Sequence, residues 1–97
     1  MVSRRDVQHA PRAYANGAWP HAPTSGPPEA EVARQIAMRL IDVIGDRSFR
    51  DVATIVGVSH TTLSAIAAGR RWPDIATVAR LEHALECDLW PHRNWRQ

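Results

Sequence analysis

SFRDVATIVGVSHTTLSAIAAGRR, residues 48–71, decides how this chain folds. Ser48 stands where a helix N-cap belongs, its hydroxyl able to satisfy an orphan N–H of the turn that follows. Phe49–Val56 then presents Val52, Ala53, Ile55 and Val56 for burial. Gly57 interrupts the run with a residue that accepts positive φ without strain. Ser59 caps a further helix, expected from His60 to Ala68, in which Leu63, Ile66 and Ala67 face inward while His60, Thr61, Ser64 and Ala65 face out.

Upstream, Pro27-Pro28 presets a helix start, with Glu29 and Glu31 in the first turn where the dipole favours acids. Val32, Ile36, Leu40, Val43 and Ile44 recur at helical spacing, so residues 29–44 form an amphipathic helix that Gly45 stops. Arg34 and Arg39 fall outside the apolar stripe and are expected in solvent. Downstream, Gly69 closes the 60–68 helix and Arg70-Arg71-Trp72-Pro73 leaves it as a loop. Asp74 opens a last helix to about Glu86, with Ile75, Val78, Leu81 and Leu85 as its apolar line. Asp88-Leu89-Trp90-Pro91 reads as a hydrophobic clasp. No alternating run occurs, so the expected fold is all-α, with four to five helices.

Residues 1–28 differ in character. They hold five of the seven prolines (Pro11, Pro20, Pro23, Pro27, Pro28), and no helical or strand period survives there. The expectation is an extended, flexible N-terminal arm before a domain spanning 29–97. Arg4, Arg5 and Arg12 against Asp6 give the arm the whole net charge of +2. Such an arm can follow phosphates or lie solvated, and Tyr14 and Trp19 give it aromatic groups that could dock on a domain or a second protomer.

Composition narrows the classes. No apolar run approaches the roughly 18 residues of a membrane span, and no apolar segment follows the basic start, so a cytoplasmic location is expected. The single Cys87 excludes an intrachain disulfide. His83, Cys87 and His92 have a spacing that could gather around zinc, but structural zinc wants four ligands, so no metal is expected. Ser59-His60 sits on a small helix tip with no room for a cleft, so neither catalysis, cofactor nor small-molecule ligand is expected. All twelve basic residues are Arg. Arg offers a planar fork suited to phosphates and guanine edges, though GC-rich coding explains the same bias.

The four-residue step from Ala53 to Gly57, then one, six and nine residues to Val58, Leu63 and Ile66, is more specific than amphipathicity. Two helices crossing at about 90–120° need a small side chain where they touch and a permissive turn, which Ala53 and Gly57 supply. On these residues, and on the ending GRRWPDIATVARLEHALECDLWP, the stretch 29–90 resembles the lambda-repressor-like, Xre-type helix-turn-helix DNA-binding domain. The WPD…DLWP frame further resembles small immunity repressors of temperate actinobacterial phages.

The resemblance implies that the 60–68 helix reads a DNA major groove, with Ser59, His60, Thr61, Ser64 and Ala65 facing bases. It places Ser48, the Phe49 N–H, Arg50, Thr62, Arg70 and Arg71 on the DNA backbone, with Arg47 or Arg50 replacing the Gln that the family often has at Phe49. Where the family often has Glu late in the reading helix this chain has Ala67, and where a Gly commonly ends the last helix it has Glu86. The implied function is a double-stranded DNA operator-binding transcriptional repressor, nucleoid-associated in a bacterial host cell, active in phage immunity (lysogeny), and a possible homodimer. The competing reading is an antitoxin or other host regulator whose arm grips a protein partner.

Overall fold

A computed structural model describes residues 9–91 of the chain. Its regular elements are a 3-10 turn at Pro11–Tyr14 and four helices: α1 (Pro28–Ile44), α2 (Phe49–Val56), α3 (His60–Ala67) and α4 (Ile75–Leu85). Among the described residues there is no strand, only an isolated bridge between Ala15 and Thr24, so the fold is all-α. None of these helices is long and apolar enough to cross a membrane. Relative to the sequence reading, α1 starts one residue earlier, and α3 and α4 each end one residue sooner.

The helices begin and end for local reasons. Pro28 occupies the first position of α1, where its missing N–H costs nothing, and Glu29 and Glu31 follow in the first turn. Ser48 caps α2 by accepting the Asp51 N–H at 3.0 Å, and Ser59 caps α3 by accepting the Thr62 N–H at 3.1 Å. Glu86 closes α4 in the left-handed conformation (φ 51°), the only non-glycine residue to do so among those described. Such a residue carries strain that glycine would not.

One cluster of buried side chains joins the four helices: Ile36, Leu40 and Ile44 of α1, Val52 and Val56 of α2, Leu63, Ile66 and Ala67 of α3, and Val78 and Leu81 of α4. Leu89, fully buried, plugs its end, whereas Trp90 is exposed, so the clasp acts through the leucine. The Glu82 carboxylate fixes that plug by accepting the backbone N–H groups of Leu89 (2.7 Å) and Trp90 (3.2 Å). Two apolar residues depart from the expected core. Ile55 is 57% exposed because it lies off the Val52–Val56 line of α2, and Ile75 is 76% exposed because it stands at the first position of α4, a turn before the core begins at Val78.

The segment expected as an extended, flexible arm is, over residues 9–27, folded onto the helices. Pro11 and Pro20 are buried, and the Trp19–Pro20 peptide is cis. Asn16 N–H donates to Pro23 O and Ser25 N–H to Tyr14 O, closing the segment on itself. Its 3-10 turn packs on α1, whose Ala30, Ala33 and Ala37 are buried outside the main cluster, the small side chains that a close approach requires. Glu31 ties the two parts together. It accepts from the Thr24 hydroxyl and N–H and pairs with Arg34, which also donates to Pro20 O. The Arg34 guanidinium, foremost, holds the Glu31 carboxyl down at about 2 against burial. Arg34 is therefore a tether and not a solvated side chain, and Arg39 likewise reaches across to Trp90 O at 2.8 Å.

Candidate nucleic-acid interface

The geometry of the candidate site starts at Gly57. Its left-handed backbone (φ 74°, ψ 29°) lets its N–H close α2 on Ala53 O at 2.9 Å, and the chain then turns through Val58 into the extended Ser59. Val52, Val56, Leu63 and Ile66 hold the two helices against the common core, with Ala53 and Val58 packed at its margin. The amino-terminal ends of α2 and α3 are each capped by a serine whose hydroxyl accepts one N–H. Both ends thus carry free N–H groups and the positive end of a helix dipole, the usual receptor for a phosphate.

Ser59 and Thr61 are exposed, and His60, Ser64 and Ala65 partly so, all on or beside the first turns of α3. The Ser59 hydroxyl is doubly engaged: it accepts the Thr62 N–H and donates to Thr62 Oγ1 at 2.9 Å. It can offer an outside group only an acceptor. Thr62 Oγ1 also accepts from Arg71 Nη1 at 3.4 Å, which leaves the threonine's own proton free to donate outward. The structure thus brings Ser59, Thr62 and Arg71, which come from the cap, the first turn of α3 and the loop beyond it, into one chain of hydrogen bonds.

The other cations divide. Arg50 stands exposed in the first turn of α2 beside the Ser48 cap, and Arg70 is exposed beside Arg71. Arg47 is turned back on its own chain: its Nε donates to Ile44 O (3.2 Å) and its Nη2 to Val43 O (2.8 Å), capping α1. Fewer of its donors remain for any other partner.

The N-terminal segment, expected to follow phosphates, lie solvated or dock on a domain, is bonded to the end of α3 and the loop after it. Arg12 N–H donates to Gly69 O (3.0 Å), Trp19 Nε1 to Ala67 O (3.0 Å), and Trp72 Nε1 to His9 O (2.8 Å). Tyr14 lies between the rings of His9 and Trp72, 6.0 and 6.3 Å from them. The last turn of α3 and the loop after it are therefore tied to the N-terminal segment. Tyr14 and Trp19 carried a hint of docking in the sequence, but nothing in it pointed to α3 as the target.

Charge is distributed unevenly. From Val52 to Pro73, and from Val7 to Pro28, the chain has no acidic residue. Apart from Asp6, the acids sit on α1, at Asp46 and Asp51, and from Asp74 onward. Glu82, His83, Glu86, Cys87 and Asp88 line an open depression on the far end of α4. Burial pushes the Cys87 thiol up, with Glu82 and Asp88 adding to the effect, so it is a poor nucleophile. No cluster that could hold a metal exists among the described residues. His92 of the possible zinc trio, and Arg4, Arg5, Arg93, Trp95 and Arg96, lie outside the described residues.

No curated protein and no solved structure matches the chain. Residues 47–89, from the approach to α2 through the Leu89 plug, match the helix-turn-helix family of DNA-binding regulatory domains.

Proposed function

We propose that this protein is a transcriptional repressor that places α3 in the major groove of a double-stranded operator. The observation that carries the reading is the α2–Gly57–α3 unit, with two capped helix ends and a flanking arginine loop, acid-free from Val52 to Pro73 with Asp51 in the first turn of α2. Ser59, His60, Thr61, Ser64 and Ala65 face the bases in this reading. Ser48, Arg50, Thr62, Arg70 and Arg71 meet the phosphates, with Arg47 joining through what its α1 cap leaves free. Two protomers on half-sites about one helical turn apart form the repressing assembly. The narrower role, phage immunity, rests on the resemblance of the WPD…DLWP frame. An arm that grips a protein partner is the weaker reading, because residues 9–27 are already packed on their own helices.

The base-facing set has no Arg, Asn or Gln, so the strong bidentate pairings are missing. Discrimination then falls on His60, on methyl contacts from Ala65 and Thr61, and on DNA shape. The test is a mobility-shift assay with the DNA flanking the gene, against a scrambled duplex. A retarded species is expected on both at low salt, with preference for the first; no retarded species at low salt sinks the proposal. His60→Ala is expected to reduce that preference about tenfold, the equivalent of ~1.4 kcal/mol at one base pair. Equal loss on both duplexes would make His60 a backbone contact.

Arg70→Ala and Arg71→Ala are expected to weaken binding to every sequence. Each should lower the slope of log K against log salt by ~1. An unchanged slope would remove that residue from the phosphate contacts.

A further inference from the structure

The docked N-terminal segment has a consequence for the charged edge of the interface. Arg12 is exposed, and its backbone N–H is fixed to Gly69 O at 3.0 Å. Its side chain starts against the same residue, since a Cβ built on Gly69 would meet Arg12 Cβ at 2.9 Å. Arg12 therefore stands beside the peptide that leads directly into Arg70 and Arg71. No ion pair to it exists among the described residues, and the carboxylate next along the chain, Asp74, acts on Arg71. Three arginines thus leave the backbone at or beside Gly69, two from the loop after α3 and one from a segment more than fifty residues away in sequence.

Like charges on one edge are unfavourable unless an anion spans them. Guanidinium is the side chain best suited to phosphate oxygens. We infer that Arg12 is a phosphate-contacting residue of the DNA interface, delivered by the 9–27 segment, and that it extends the backbone contact begun by Arg70 and Arg71. This rests on the proposed DNA-binding role of α3. Trp19 and Trp72 give the contact its rigidity: with both indoles bonded across the junction, the Arg12 backbone is held in place before DNA arrives. A preordered cation loses less entropy on binding than one on a free arm.

The test measures the salt dependence of duplex affinity for the full chain and for Arg12→Ala, Arg12→Lys, Arg70→Ala and Arg80→Ala. Alanine keeps both the backbone N–H and the Cβ that meet Gly69, so Arg12→Ala should fold normally, which its melting curve checks. The Arg12→Ala slope should fall by ~1, as for Arg70→Ala, and Arg12→Lys should restore most of it. Arg80, exposed on α4, is the control and should leave the slope unchanged. If Arg70→Ala lowers the slope and Arg12→Ala does not, Arg12 touches no phosphate and the inference falls. It falls equally if the alanine and lysine variants weaken binding alike with the slope intact, since that marks packing. A full chain that retards no duplex overturns the DNA-binding role itself, a separate outcome.

Discussion

Replacing Gly69 with alanine is expected to destabilise the fold by about 3 kcal/mol, whereas the same change at Gly57 should cost only about 1 kcal/mol. The two glycines have nearly the same left-handed backbone, φ 73° and 74°, so the conformational penalty is shared. Their surroundings differ. A Cβ on Gly57 meets nothing within 4 Å, while one on Gly69 falls 2.5 and 2.7 Å from the Trp19 ring and 2.9 Å from Arg12 Cβ. The indole cannot simply swing aside, because its Nε1 is bonded to Ala67 O. A domain of this size is stable by only about 5–15 kcal/mol. The Gly69 variant should therefore melt more than about 10 °C below the native chain. Circular dichroism melts of the two variants decide it. Equal losses would mean that the N-terminal segment does not press on this turn.

That contrast marks where the sequence stopped being legible. The helices and their caps were readable because their causes are local: Ser48 and Ser59 act on N–H groups three residues on, and Gly57 acts on its own φ. The core was readable where burial follows the helical period, as at Val52, Leu63 and Ile66, and failed at Ile55 and Ile75, where tertiary contact decides. Residues 9–27 were opaque for a physical reason. A segment whose hydrogen bonds go to distant partners, such as Trp19 to Ala67 and Trp72 to His9, shows no period and no cap. Its prolines looked like a sign of looseness, yet Pro11 and Pro20 are buried in a fixed path. The same non-locality hid Arg12 from the charged edge and hid the second duty of Arg47 at the end of α1.

Removing the indole should be about as damaging as crowding it. Trp19→Ala is expected to cost about 3 kcal/mol, at the low end for a large aromatic because the ring is only half-buried. Most of that is lost packing against Gly69. The freed Ala67 carbonyl, at the end of α3, can turn to water, so its hydrogen bond contributes only about 1 kcal/mol. The two substitutions test one another. In the Trp19→Ala background the obstacle to a Gly69 methyl is gone, so Gly69→Ala should there cost about 1 kcal/mol, as at Gly57. The double variant would then be some 2 kcal/mol more stable than the sum of the singles predicts, a coupling of the size expected for residues in direct contact. Additive losses would place Trp19 away from the α3 exit and leave Arg12 without its support. If the coupling appears, DNA affinity supplies a second reading of it. Trp19→Ala should weaken binding through Arg12, Arg70 and Arg71 together, while the preference between operator and scrambled DNA proposed for His60 stays intact.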